Sequence, residues 1–101
     1  MVLEAVPFEA LSKSEERSRA TIMYYVYIIQ SKKDESYYVG TTEDLKVRLQ
    51  EHNGGEVRYT SSKIPYELIW YCAFQNKKRA IDFEKYLKQG SGFAFARKRL
   101  V

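Results

Sequence analysis

Two short runs of aromatic and β-branched residues, Tyr24–Ile29 and Tyr37–Val39, flank the polar segment Ser31–Ser36. In the first run Tyr25, Tyr27 and Ile29 fall on one face and Tyr24, Val26 and Ile28 on the other, the period that a pleated strand accepts. The stretch predicts two strands joined by a polar loop, with Gly40 ending the second. Thr42 then offers an N-cap, and Glu43 and Asp44 bring negative charge to a first turn where the helix dipole favours it. Gly54-Gly55 stops that helix.

The remainder of the chain continues this alternation of elements. On the first helix Leu45, Leu49 and His52 share a narrow arc that packs on the sheet, and Arg48 and His52 project along its border. A loop rich in Gly, Ser and Thr spans 54–65. The nearly continuous apolar run Tyr66–Phe74 reads as a strand covered on both faces. A second helix is predicted from Asn76, its N-cap, to Gln89, with Gly90 ending it. Ala80, Phe83 and Leu87 form its buried stripe, flanked by Ile81, while Asp82 points outward. Glu84 falls inside that buried arc, where a carboxylate is costly unless a cation or hydrogen-bond donors meet it. Beyond Gly90-Ser91-Gly92 the chain ends in a short basic helix. The expected class is α+β, a three-stranded, mainly antiparallel sheet flanked by helices.

Length and composition narrow the function. A chain of 101 residues is one domain with one modest core. No apolar run approaches the ~18 residues of a membrane span, and no basic-then-apolar signal opens the chain. Cys72, the only cysteine, lies in an apolar run and reads as a small buried filler in a reducing, cytoplasmic setting. One Cys and one His cannot build a Cys/His metal site within one chain. Residues 1–22 carry four acidic and three basic side chains, leaving 14 basic against 9 acidic in the rest. They are expected to form a loosely ordered extension, with the functional domain over 23–101. Between Lys77 and Arg99 eight basic residues face only Asp82 and Glu84. Lys77, Lys78, Arg79, Arg97, Lys98 and Arg99 thus make either a solvated basic surface or the contact face for a polyanion.

For the case in which that polyanion is a nucleic acid, hydrolysis of its phosphodiesters requires a base for the water, a cation to shield the phosphoryl oxygens, a metal or acid for the leaving oxygen and a surface that holds the strand. Glu84 is the candidate metal ligand, since a hard ion such as Mg²⁺ takes one or two protein carboxylates and keeps waters and phosphate as its other ligands. Arg48 offers a planar fork of donors to a phosphate. Tyr27 is the candidate base, with Tyr38 beside it. A phenol titrates near ~10, so Tyr27 needs positive charge from Arg48, the metal or His52 to lower that value. Each residue also has a plain structural role to fill. The tyrosines can be packing, Arg48 can lie over its own helix, and His52 can serve the helix dipole. Tyr59 can stack on the sheet edge, and Glu84 can close a salt bridge with Arg48.

In order along the chain, Tyr25-Val26-Tyr27, Tyr38-Val39-Gly40, the helix stretch Thr41–Asn53 containing Arg48, Arg58-Tyr59-Thr60 and Phe83–Lys88 resemble the GIY-YIG nuclease superfamily over about residues 23–100. The likeness is to its small single-domain members. It implies a metal-dependent endonuclease acting on DNA, duplex or branched, in repair or recombination, with Mg²⁺ or Mn²⁺ as cofactor. It assigns Tyr27 and Tyr38 to water activation and positioning, Arg48 to the phosphate and Glu84 to the metal, with supporting roles at His52 and Tyr59. Two departures stand out. Tyr25 occupies the first motif's glycine position, and the asparagine that some larger members carry beyond the metal glutamate is absent from Ser91–Val101. Other readings are a nucleic-acid-binding module that keeps the fold with little turnover, and a nuclease subunit targeted by a partner protein.

Overall fold

The computed structural model describes residues 22–101, in which β1 (Tyr24–Ser31), β2 (Tyr37–Thr42), α1 (Leu45–Asn53), a 3-10 turn (Ser61–Lys63), β3 (Tyr66–Phe74), α2 (Lys77–Lys88) and α3 (Gly90–Arg99) follow in order. The extension expected over 1–22 lies, apart from Ile22, outside the described residues. The strands form one antiparallel sheet in the order β2-β1-β3, the α+β architecture expected.

Alternation along β1 gives the sheet two apolar faces. Tyr25, Tyr27 and Ile29 meet Leu45, Tyr66 and Ala73 on the α1 side. Val26 and Ile28 meet Val39, Cys72 and Phe74 under Ala80 and Leu87 of α2 and Ala96 of α3. The central strand is therefore buried on both sides, and burial of this kind stabilises by about 1.5–3 kcal/mol per large apolar side chain. Cys72 is part of this core, and burial pushes its thiol up to about 12.

Three boundaries and the burial of one strand differ from the sequence reading. Gly40 does not end β2, which continues to Thr42 paired with Tyr25. Because the strand holds Thr42, the N-cap of α1 passes to Asp44, whose carboxylate accepts the Val47 N–H at 3.1 Å, and no acidic residue lies in the first turn. Gly90 opens α3 instead of closing α2. Gln89 turns the chain in extended geometry and its carbonyl accepts the Phe93 N–H at 2.7 Å. Gly92, inside α3, lets that helix press on α2, because a Cβ there would meet the Tyr86 carbonyl oxygen at 1.7 Å. Finally, β3 is an edge strand. Cys72–Phe74 are buried, but Leu68–Tyr71 are only partly covered, since β1 takes the central place.

Candidate active site

The site is assembled at the β2 edge of the sheet. Tyr27 on β1 pairs across the ladder with Gly40 on β2, and the phenol crosses directly over that glycine. A Cβ at position 40 would stand 2.4 Å from the Tyr27 hydroxyl oxygen and 2.6 Å from Cζ. Gly40 is thus the floor on which the ring lies, a role that its position after Tyr38-Val39 does not reveal.

The Tyr27 hydroxyl reaches the only histidine. Its oxygen is 2.8 Å from His52 Nε2, and His52 Nδ1 is 2.8 Å from Thr60 Oγ1. The Thr60 hydroxyl donates to the Val57 carbonyl at 3.3 Å. With that proton committed, Thr60 accepts from Nδ1–H, Nε2 carries the lone pair, and the Tyr27 O–H donates to it. His52 is 0% and Thr60 1% exposed. His52 therefore does not project along the helix border as expected, nor is it a dipole-stabilised cation. Burial, and then the charge of Arg48, hold it neutral and bring its pKa down to about 4.

Tyr27 also departs from expectation. Burial outweighs the lowering influence of Arg48 and pushes the phenol up to about 12, away from neutrality. The phenol is therefore protonated at neutral pH, and its O–H is directed at His52.

Of the other expected residues, Tyr38, Tyr59 and Arg48 surround this pair, and Glu84 stands apart from it. The Tyr38 ring lies 6.4 Å from Tyr27 and 5.0 Å, edge-on, from His52. Tyr59 tilts against the outer side of Tyr38 at 5.8 Å and is 82% exposed. Arg48, half-buried, reaches the Tyr27 phenol and pairs with Glu51 one helical turn on at 3.0 Å. It does not pair with Glu84. That carboxylate, with its side chain 20% exposed, comes from α2 on the opposite face of the sheet and meets the edge strand itself. The Thr41 hydroxyl donates to Oε1, and the Lys88 ammonium sits 2.6 Å from Oε2. The Lys88 ammonium also lies 5.7 Å from the Tyr38 ring centroid, so one side chain links the two faces around β2. The Glu84–Lys88 spacing of four on a helix was visible in the sequence, whereas Thr41 and Thr60 gave no signal of their own.

A recess of about 290 Å³ adjoins Glu84, lined also by Glu43, Thr41, Thr42 and Lys77. Among the described residues no three acidic, His or Cys groups converge. The donor set fits a hard cation that retains its waters and uses one protein carboxylate, not a preformed cage. The remaining basic residues divide. Lys77 lines the recess, while Lys78 pairs with Asp82 at 2.8 Å in solvent. Arg79 is exposed at the start of α2, and Arg97, Lys98 and Arg99 close α3.

Comparison with known proteins agrees with this arrangement. A family model described as the GIY-YIG catalytic domain matches residues 23–98. A UPF0213 protein of Clostridium perfringens is 41% identical over 68 residues, 66% of this chain and 72% of its own length. UPF0213 proteins of Lacticaseibacillus paracasei and Bacillus subtilis are each 37% identical, over 68% and 65% of this chain and 78% and 67% of theirs. The chain belongs to the GIY-YIG nuclease domain family, and its function is of the nuclease type, with nucleic acid as the substrate class.

Proposed function

We propose that residues 23–101 form an endonuclease that hydrolyses phosphodiester bonds of DNA with the help of Mg²⁺ or Mn²⁺, in repair or recombination. The observation that carries this reading is the Tyr27–His52 hydrogen bond, made within reach of Arg48 and beside the edge strand that holds Glu84. Tyr27 takes the proton of the attacking water while its own passes to His52 Nε2, so no free phenolate forms. Arg48 clamps the scissile phosphate. In doing so its charge is neutralised, and one of the two causes that depress His52 is removed; substrate binding makes the acceptor more basic. Tyr38 and Tyr59 wall the water and the strand, and Lys77, Lys78, Arg79, Arg97, Lys98 and Arg99 hold the backbone. A cation held by Glu84 would shield the phosphoryl oxygens and stabilise the leaving oxygen.

The test is nicking of plasmid and branched DNA by the purified chain with Mg²⁺, compared with Tyr27→Phe, Arg48→Ala and Glu84→Ala. Loss of cleavage in all three variants is expected, and cleavage that survives in them removes the assignment. One observation favours a second reading. The Lys88 ammonium already occupies Glu84, as it would in a nucleic-acid-binding module of little turnover. Binding that is salt-sensitive but indifferent to chelator, with no nicking, would select that reading.

A further inference from the structure

A second recess of about 540 Å³ lies between the β2 edge and the α2–α3 pair, with Tyr37, Tyr38, Tyr59, Lys88 and Phe93 in its wall over Val39 and Leu87. We propose that it receives an unpaired nucleobase next to the scissile phosphate, so that the preferred substrate contains a single-stranded stretch at the point of cleavage. This deepens the reading of the chain as a nuclease and rests on it.

Four aromatic rings meet at this recess, and two of them are turned to water. Tyr59 is 82% exposed and Phe93 41%. Such surface stays wet unless something flat and apolar covers it, and a nucleobase is both. The volume falls in the roughly 300–1,000 Å³ range of small-molecule pockets. Charge then selects the occupant. The Arg97 guanidinium lies 6.0 Å from the Tyr37 centroid and 5.8 Å from that of Phe93, and Lys88, paired with Glu84, also lines the recess. No acidic residue occurs anywhere in α3. A base stacked between these rings therefore carries its flanking phosphates toward two cations, a pairing that suits a polyanionic strand and not a neutral peptide.

Continuity with the site supplies the register. Tyr38 and Lys88 belong both to this recess and to the cluster around Tyr27 and Glu84. A nucleotide whose base rests on Tyr38 and Tyr59 thus places an adjoining phosphate near Arg48 and Glu84. A base held in a duplex shows the protein its edge, not its face, and cannot reach the Tyr59 ring without leaving its stack.

The experiment measures binding separately from cleavage. Fluorescein-labelled oligothymidylate and oligouridylate of about 20 nucleotides, and a duplex of equal length, are titrated with the full chain in chelator by anisotropy. Tighter binding of either single strand than of the duplex is expected. Phe93→Ala should weaken single-strand binding roughly 5- to 100-fold while leaving duplex binding within about twofold, and Tyr59→Ala should weaken single-strand binding by a similar factor. A chain that nicks duplex plasmid with Mg²⁺, yet binds duplex as well as single strands and ignores both substitutions, overturns the base pocket and leaves the hydrolytic reading standing. Tyr59-dependent binding of single strands without any cleavage supports the pocket while the hydrolytic reading fails.

Discussion

The Tyr27 hydroxyl donates to His52 Nε2 at 2.8 Å inside a wholly buried pair. Tyrosine alone is a poor base at neutral pH, and burial makes it poorer here, so in the proposed reaction this contact gives the phenolic proton somewhere to go. Everything that fixes the histidine's orientation and tautomer therefore acts on the chemistry at one remove.

Thr60 is the residue that does so. Thr60→Val keeps the shape but removes the acceptor for Nδ1–H, leaving a buried donor unpaired at a cost of about 1–3 kcal/mol. The neutral ring then has reason to move its proton to Nε2, where it blocks transfer from Tyr27. Nicking is expected to fall about tenfold or more, and Thr60→Ser to restore it. Nitrogen NMR of His52 checks the tautomer directly. A Thr60→Val protein with an unchanged tautomer and full activity removes Thr60 from the mechanism.

The depressed His52 pKa also has a consequence for stability. Its folded value of about 4 lies below the ordinary 6.5, so the unfolded chain binds this proton first as pH falls. The neutral ring's contribution is complete above pH 6.5 and is lost between 6.5 and 4. The full loss approaches about 3 kcal/mol, at about 1.4 kcal/mol per unit. Urea unfolding at about pH 7 and about pH 4.5 should show this drop in the native chain and a smaller one in His52→Gln. Equal drops in the two proteins would mean that His52 is not held neutral.

The strands, the two-faced burial of β1 and the likeness of the ordered motifs were legible because period-2 alternation and motif order are local patterns. The Glu84 anomaly was legible for the same reason, since a carboxylate in an apolar arc is visible on a helical wheel. Of its partners only Lys88, four residues on along the same helix, could be read in the same way. Arg48 was the natural choice by charge, but sheet order puts Thr41 against the carboxylate and turns Arg48 to the other face. The burial of His52 and its link to Thr60 depend on how the loop after α1 returns to the sheet, which no periodicity encodes. Gly90 misled because a glycine that opens a helix and one that closes a helix look alike when two helices adjoin.

Gly40 gives a test of the site's floor. Gly40→Ala sets a methyl 2.4 Å from the Tyr27 oxygen, and that oxygen belongs to a buried ring with little freedom to retreat. Overpacking of this kind costs about 1–3 kcal/mol, and the displaced phenol leaves His52. Thermal unfolding should move down, and the His52 pKa, followed by NMR, should shift with it. A stable Gly40→Ala chain with an undisturbed His52 signal would show that the ring does not rest on this glycine.

Lys88 decides how readily Glu84 can serve a metal. The ion pair at 2.6 Å joins two partly exposed side chains, and such pairs contribute only about 0–1 kcal/mol to folding. Lys88→Met should therefore leave stability nearly unchanged. Its effect on a divalent ion is larger, because a +1 and a +2 charge near ~4 Å repel by about 2 kcal/mol even at the dielectric constant of water. Lysine can swing aside and relieve part of this, so the Mg²⁺ midpoint for nicking is expected to fall about three- to tenfold. The maximal rate can also fall, since Lys88 faces the strand as well, and the midpoint is the quantity to read. Glu84→Gln, in contrast, should abolish saturable metal dependence. A Lys88→Met chain with the native midpoint would place the metal away from Glu84, and the division of labour between the two faces of β2 would have to be redrawn.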